Sequence, residues 1–134
     1  MKCKELQIGD WIQDKDGHPM HITSVGEDYA CANFDVFREE DNQPEPIEIT
    51  EDILKHNKWK VQGYTLLPSE HYYVKDEDGN HLLWSNGTLS IWLAYGDAND
   101  GVFSDVTVPC KYVHQLQQVL RLVGLTDMAN NLKI

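Results

Sequence analysis

The dipeptide Asn86-Gly87 is the sequence feature that most constrains how this chain folds. Both residues tolerate the positive φ angles that a two-residue hairpin turn requires at its central positions. The segment HLLWS precedes the dipeptide and TLSIWLAY follows it. In the second segment, apolar and more polar residues alternate, as expected of a β-strand that buries one face. The sequence therefore predicts an antiparallel hairpin whose second strand presents one apolar face, made of Leu89, Ile91, Leu93 and Tyr95.

Turn and strand signals on both sides extend this hairpin into a meander. Tyr72 and Val74 precede a polar turn around Asp78-Gly79, and a further apolar segment runs from Val102 to Val108. Pro109 ends that segment because proline cannot donate a hydrogen bond to a sheet ladder. We predict a meander of about four antiparallel strands within residues 62–108, with one face that another element must cover.

Residues 1–49 are also predicted to be rich in β structure. Short runs of β-branched and aromatic residues are separated by turn signals at Asp16-Gly17 and at Gly26-Glu27-Asp28. These signals place strands at Leu6–Ile12, Met20–Val25 and Tyr29–Phe34. Short strands joined by tight turns are typical of a small SH3-like barrel, which is our hypothesis for this part of the chain.

A proline-containing acidic segment separates the two β regions. DVFREEDNQPEP is predicted to be an extended loop, after which Ile47 and Ile49 add one more strand. Thr50 is a suitable N-cap, and the acidic residues that follow it favour a helix N-terminus. We therefore predict a short helix over residues 50–57, ending at Asn57.

The segment KYVHQLQQVLRLVG, residues 111–124, has the clearest helical periodicity. At about 100° per residue, one side is apolar, with Tyr112, Leu116, Val119, Leu120 and Val123. The opposite side is polar, with His114, Gln117, Gln118 and Arg121. We predict a helix within residues 110–124 whose apolar side covers the meander. Accordingly, Leu116→Ala should cost about 2–5 kcal/mol and Gln117→Ala less than about 0.5 kcal/mol.

Together these elements predict an α+β fold in a single domain spanning residues 1–134. The net charge of −11, from 22 acidic residues against 11 Lys and Arg, disfavours nucleic acid and anionic membrane surfaces as partners. No apolar run approaches the roughly 20 residues needed to span a bilayer. Three irregularly spaced cysteines predict no disulfide framework, which favours a reducing, cytoplasmic location.

Three segments, in this order, carry a resemblance to a known family. IGDWI, PIEITEDILKHNKW and KYVHQLQ resemble a family of small uncharacterised proteins from Bacteroidetes and their phages or prophages. The similarity spans most of the chain, and KYVHQLQ is its most specific part. The family has no assigned activity, so the resemblance implies a cytosolic protein of mobile-element origin and transfers no catalytic residue.

Few residues match a chemical motif. His18 and His21 have a spacing found in some metal sites, but no cysteine pair accompanies them and Pro19 prevents a regular helix. Cys110 and His114 are four residues apart near a helix start, without an identifiable orienting acid or amide. The turns KDEDGN and GDANDG fail the ligand pattern of a calcium-binding loop. We therefore predict no bound metal and no cofactor, and we assign no catalytic residue.

Two hypotheses for function follow. In the first, the protein is a non-enzymatic interaction or accessory factor that binds another protein. Its candidate contact residues are two tryptophans and the polar side of the last long helix, namely Trp84, Trp92, His114, Gln117, Gln118 and Arg121. In the alternative, it is a small hydrolase or metal-dependent enzyme with a site built from scattered His, Cys and acidic residues. A bound metal at His18 and His21, or a cleft containing His71 and His81, would favour the alternative.

Overall fold

The computed structural model describes residues 1–33, 35–62, 71–95 and 102–134, with only the backbone described at 62, 93–95 and 102–105. The predicted loop GDANDG lies outside these residues, as does Phe34, the last residue of a predicted strand. The described residues form three antiparallel sheets and three α-helices, which confirms the α+β class. No helix in the described ranges is long and apolar enough to cross a membrane.

The first sheets are built from short strands near the N-terminus. A 3-10 helix at Cys3–Glu5 precedes a two-stranded sheet of β1 (Trp11–Gln13) and β2 (Pro19–His21). A three-stranded sheet follows, with β3 (Ser24–Val25), β4 (Tyr29–Ala32) and β5 (Asp35–Arg38) in that order. Buried side chains from the 3-10 helix, the strands and the segments between them form one apolar core, which contains Cys3, Leu6, Ile12, Ile22, Ala30, Ala32 and Phe37.

Several predictions for this region are corrected. The segment from Leu6 to Asp10 is not a strand, because the backbone turns at Gly9, where φ is +92°. Part of the predicted acidic loop is instead β5, since Phe37 is apolar and enters the core. Ile47 and Ile49 add no strand, and only isolated bridges occur near them, at Glu45 and Glu48. Among the described residues, the two-stranded sheet and the three-stranded sheet are not hydrogen-bonded to each other. The SH3-like barrel therefore stays a hypothesis.

The predicted meander is confirmed and contains a fifth strand. After α1 (Glu51–His56), capped at Thr50 as predicted, five consecutive strands pair in sequence order. They are β6 (Lys60–Gln62), β7 (His71–Lys75), β8 (His81–Ser85), β9 (Thr88–Tyr95) and β10 (Val102–Pro109). Ser85 pairs with Thr88, which leaves Asn86 and Gly87 as a two-residue turn with φ of 47° and 82°. Both values are positive, as a type I′ turn requires.

The C-terminal helices are α2 (Val113–Leu122) and α3 (Thr126–Asn130). The residues group into two compact units: 1–48 with 112–132 and 134, and 49–111 with 133. Helix α2 thus belongs to the first unit, where it contacts β1 and α3, and it is not grouped with the meander that we expected it to cover. The spacing of apolar residues shows that a helix has an apolar side. It does not show which other element that side packs against.

The buried side of α2 also differs from the predicted stripe. Val113, Leu116 and Leu120 are buried, whereas Val119 and Val123 are only partly buried. His114 and Gln117, which we placed on the solvent side, are buried as well. The helix therefore packs along two stripes, one apolar and one polar, because packed elements contact it on both sides.

Candidate functional site

Gln117 on α2 binds the backbone of the N-terminal segment. Its side chain is only 1% exposed. Its Oε1 accepts a hydrogen bond from the Trp11 backbone N–H at 2.8 Å, and its Nε2 donates to the carbonyls of Gly9 at 3.0 Å and Ala129 at 3.3 Å. A single amide therefore satisfies three backbone groups from two distant segments. Because Gln117 is buried and its amide is bonded inside the fold, it does not belong to the predicted partner surface.

Asp10 is the centre of a second polar cluster on the same side of α2. Its side chain is fully buried, and Arg121 forms an ion pair with it at 2.5 Å. The other carboxylate oxygen accepts from the Gln118 side chain at 2.7 Å and from the Gln7 backbone N–H at 2.8 Å. Arg121 also donates to the Gln7 side chain at 3.2 Å. The charge of Asp10 is thus compensated by hydrogen bonds and by a cation, as burial requires.

Gly9 permits this arrangement. Its φ of +92° is a conformation that side-chain-bearing residues rarely adopt. A Cβ atom at this position would lie 3.1 Å from Nη2 of Arg121. The absence of a side chain therefore allows the guanidinium to pack against the backbone. Nothing in the sequence around Gly9 and Asp10 indicates a partner more than 100 residues away.

His114, like Gln117, is a polar residue of α2 that is buried inside the fold. Burial lowers the pKa of His114, although the nearby carboxylates of Asp10 and Glu5 act in the opposite direction. Its Nδ1 has no hydrogen-bond partner within the described ranges. The ring lies parallel to that of Tyr112, with 5.9 Å between centroids. His114 is therefore a buried neutral side chain and does not offer a contact to a partner.

We expect stability to decrease as the pH falls below the ordinary histidine pKa. The pKa values of His114 and His21 are lowered by burial, so below about pH 6.5 these two side chains bind more protons in the unfolded chain than in the folded one. Stability from this source is complete above about pH 6.5 and is lost as the pH falls through the folded-state pKa values. Urea unfolding between about pH 7 and pH 5 should show this loss, and His114→Leu should reduce the slope. An unchanged slope in the variant would contradict the assignment.

The two tryptophans proposed as contacts lie on opposite faces of the meander. Trp84 pairs with Leu89, and Trp92 pairs with His81, so the two side chains point away from each other. Both residues flank the Asn86-Gly87 turn, which by itself suggests that they come close across the hairpin, but the register between the strands separates them. Trp84 lies on the buried face and donates its indole N–H to the Cys110 carbonyl at 2.7 Å. Trp92 is partly exposed on the other face.

An aromatic row on that other face was not predicted as a unit. His81 lies between Tyr73 and Trp92, with ring centroids at 5.8 Å and 5.5 Å respectively. All three side chains are partly exposed. A depression of about 260 Å³ at one end of the row is lined by Lys75, Gly79, His81 and Trp92. The alternation of side chains along β7, β8 and β9 shows which residues of each strand share a face. Only the register between the strands shows that the three rings are neighbours.

The candidate catalytic and metal residues have no activated arrangement among the described residues. Burial raises the pKa of Cys110 to about 12, which keeps the thiol protonated and unreactive at neutral pH. The His21 ring contacts the Trp11 ring in a tilted arrangement, with 3.5 Å between ring centroids and 49° between the ring planes. His18 instead contacts Asp14 at 3.0 Å, and the hydrogen bond to Asp14 raises the pKa of His18. The two histidines are therefore engaged separately.

Asp14, Asp16 and His18 bring three potential metal-ligand atoms within 4.8 Å of one another. Asp14 already accepts hydrogen bonds from the backbone N–H groups of Asp16 and His18, both at 2.9 Å. Backbone hydrogen bonding to His18 is also the main cause that lowers the pKa of the Asp14 carboxyl. This pattern stabilises the turn between β1 and β2, as Asp side chains commonly do in turns.

No protein-family model, curated protein or solved structure matches the chain.

Proposed function

We propose that this chain is a non-enzymatic interaction protein, an accessory factor of mobile-element or phage origin, and that it binds a protein partner through the aromatic row Tyr73, His81 and Trp92. The observation that carries the proposal is the contiguity of three partly exposed rings beside a shallow depression. The origin rests on the resemblance of the IGDWI, PIEITEDILKHNKW and KYVHQLQ segments.

The tyrosine and tryptophan side chains of the aromatic row support a protein as its ligand. Tryptophan and tyrosine are enriched among the residues that dominate protein interfaces, because they bury a large area with few rotatable bonds. The rings of the row are held by mutual contacts and by strand pairing, so little conformational entropy is lost when a partner covers them. The polar turn that joins β7 and β8 adds exposed Glu77 and Asp78 next to the depression. Such charges attract a basic partner.

The alternative function, a metal-dependent enzyme, has one observation in its favour, the three ligand atoms of Asp14, Asp16 and His18. Catalysis by a bound metal also needs an open coordination position in a cleft that shields the substrate. Asp16 and His18 are exposed, and the Asp14 carboxylate is occupied by the turn. The interaction hypothesis is therefore the better supported of the two.

Affinity capture with matched variants tests the proposal. The wild-type chain, Trp92→Ala and the control Tyr29→Ala, which removes an exposed aromatic residue outside the row, would be immobilised and exposed to native-host lysate. We expect a protein that wild type and Tyr29→Ala retain and that Trp92→Ala binds at least about tenfold more weakly. Quantitative mass spectrometry of the retained proteins gives the measurement.

Three outcomes would contradict the proposal. Equal capture by wild type and Trp92→Ala would exclude the aromatic row as the contact. Retention that disappears after nuclease treatment would identify nucleic acid as the ligand, against the expectation from a net charge of −11. A stoichiometric metal in the purified protein, lost in His18→Ala, would favour the enzyme hypothesis instead.

A further inference from the structure

The outer face of β4 and β5 exposes apolar side chains in the first unit. In the register of these strands, Cys31 lies opposite Val36. Tyr29 lies opposite Arg38, two residues farther along each strand, so the four side chains share one face. Tyr29 is 41% exposed and Val36 is 45% exposed, whereas Ala30 on the other face is fully buried. Single exposed apolar residues are common, but these two are diagonal neighbours on one sheet surface.

The Tyr29 ring is positioned by the turn that precedes it. A Cβ atom at Gly26 would lie 2.2 Å from Cε1 of Tyr29, so the ring covers the backbone of this glycine. Only a residue without a side chain permits such a close approach. The contact restricts the orientation of the ring before a ligand arrives, which reduces the entropy lost on binding.

An acidic depression of about 260 Å³ adjoins this face and shares Arg38 with it. Its other lining residues are Asp28, Glu39 and Glu40, so the lining carries three carboxylates and one guanidinium. Within the described part of the chain, none of these carboxylates has a hydrogen bond or an ion pair. The lining is therefore negatively charged, and no other described side chain neutralises it.

A single metal ion does not match this lining. Among the described residues, the set of three metal-ligand atoms within 4.8 Å of one another lies in the turn between β1 and β2. The carboxylates of Asp28, Glu39 and Glu40 form no such set, so they do not converge on one ion. A Lys or Arg side chain has several N–H donors on a long stem and can serve carboxylates that lie farther apart.

The charge of the surface also decides between a second copy and a different partner. Residues 24–42 contain six acidic residues, and Arg38 is the only Lys or Arg among them. A second copy would place two such surfaces against each other, and like charges in an interface are strongly unfavourable. A basic segment has the complementary charge, and opposite charges attract over about 10 Å at 0.1 M salt.

We infer that this face and the adjoining depression are a docking site for a basic protein segment, which places an apolar side chain against Tyr29 and Val36 and a Lys or Arg side chain in the depression. We call the site the Val36 surface; it consists of Asp28, Tyr29, Cys31, Val36, Arg38, Glu39 and Glu40.

The spacing of the two contacts predicts the ligand pattern. Val36 and Arg38 are two residues apart on one strand, which corresponds to about 7 Å, and the depression begins at Arg38. Side chains two residues apart in an extended ligand span the same distance. The inference does not depend on the aromatic row, because the two surfaces share no residue and belong to different units.

A displayed library of random 12-residue peptides tests the inference. Peptides selected on the wild-type chain would be synthesised, and their affinities measured by fluorescence polarisation. The test variants are Val36→Ser and the double variant Glu39→Gln/Glu40→Gln. The control Glu77→Gln/Asp78→Asn removes the same number of exposed charges from the other unit. Urea unfolding shows whether each variant is folded, as expected for substitutions at exposed positions.

We expect the selected peptides to share an apolar residue with a Lys or Arg two positions away. Each test variant should weaken their binding at least about fivefold, whereas the control and Trp92→Ala should leave it unchanged. Affinity should fall as salt is raised from about 0.05 M to about 0.5 M, and Glu39→Gln/Glu40→Gln should reduce this dependence. If Val36→Ser is unfolded, the same loss in Tyr29→Ala supports the inference, and its absence contradicts it.

Several results would overturn the inference. They include an absence of enriched peptides, enrichment of acidic or uncharged peptides, and binding that Val36→Ser leaves intact. An equal loss in the control would show that only the overall charge matters. Calcium binding that Glu39→Gln/Glu40→Gln abolishes would identify an ion as the occupant, and a wild-type dimer that Val36→Ser dissociates would identify a second copy.

The test also separates this site from the proposed function. Loss of peptide binding in Trp92→Ala alone would place the peptides on the aromatic row and would contradict the Val36 surface. In the capture experiment, a protein bound through the Val36 surface would be lost in Tyr29→Ala and retained by Trp92→Ala. This pattern is the reverse of the one expected for a ligand of the aromatic row, so either proposal can fail without the other.

Discussion

Replacing Arg121 with alanine is expected to lower the free energy of unfolding by about 3–5 kcal/mol. Asp10 is fully buried and Arg121 is its only cationic partner among the described residues, with a side chain that is 16% exposed. Removal of the guanidinium leaves a carboxylate in the interior with two hydrogen bonds and no compensating charge. An uncompensated buried charge costs more than the loss of an exposed ion pair, which contributes at most about 1 kcal/mol. Urea unfolding at neutral pH measures the difference.

Leu122→Ala is the matched control for this substitution. It shortens the next side chain on the same helix at an exposed position, so its effect should stay within about 0.5 kcal/mol. The double variant Asp10→Ala/Arg121→Ala should lose less stability than the sum of the two single variants, because neither charge is then left alone. Additive losses, or a loss below about 1 kcal/mol for Arg121→Ala, would show that the ion pair is not coupled as the geometry indicates.

Gln117→Ala is expected to cost about 2–4 kcal/mol, because a buried backbone donor or acceptor without a partner costs about 1–3 kcal/mol. The amide of Gln117 serves the Trp11 N–H and the carbonyls of Gly9 and Ala129. Alanine cannot replace these bonds, and Gln117 is almost fully enclosed. This value replaces the cost of less than about 0.5 kcal/mol that the helical periodicity predicts for a residue on the solvent side.

Leu116→Ala provides the comparison on the neighbouring position. Leu116 is fully buried, and its truncation should cost about 2–5 kcal/mol through lost burial and a residual cavity. The two substitutions should therefore have similar effects on unfolding by urea. Gln117→Glu, which keeps the acceptor but loses both N–H donors to Gly9 and Ala129, should also destabilise. A cost below about 0.5 kcal/mol for Gln117→Ala would instead indicate that the Gln117 side of α2 lies in solvent, as the helical periodicity predicts.

Local chemistry explains which elements could be predicted from the sequence. The Asn86-Gly87 turn, the Thr50 N-cap and the alternation of Leu89 and Ile91 depend on residues close in the chain, and all are found as expected. The meander follows from them, because consecutive strands joined by short turns pair with their neighbours. Part of the candidate site follows in the same way, since the two-residue period of a strand places Trp92 on the face opposite to Leu89 and Ile91.

The aromatic row needed the register between three strands. Tyr73, His81 and Trp92 are separated by turns, and a shift of one residue in either pairing would send a side chain to the other face. The same register separates Trp84 from Trp92, although both flank one hairpin. Which aromatic residues meet is therefore a property of the assembled sheet, and no single strand contains the information.

The sequence by itself determined the α+β class, the hairpin at Asn86-Gly87 and the existence of helix α2. This was possible because turn geometry and side-chain period act over a few residues. The tertiary structure alone decided what lies against each face of α2. Periodicity states which residues share a side of a helix, but a polar side is buried when another segment supplies matching groups. The carboxylate that pairs with Arg121 comes from Asp10, 111 positions earlier in the chain. Only folding brings two such residues together, and for this reason the polar side of α2 proved to be part of the interior.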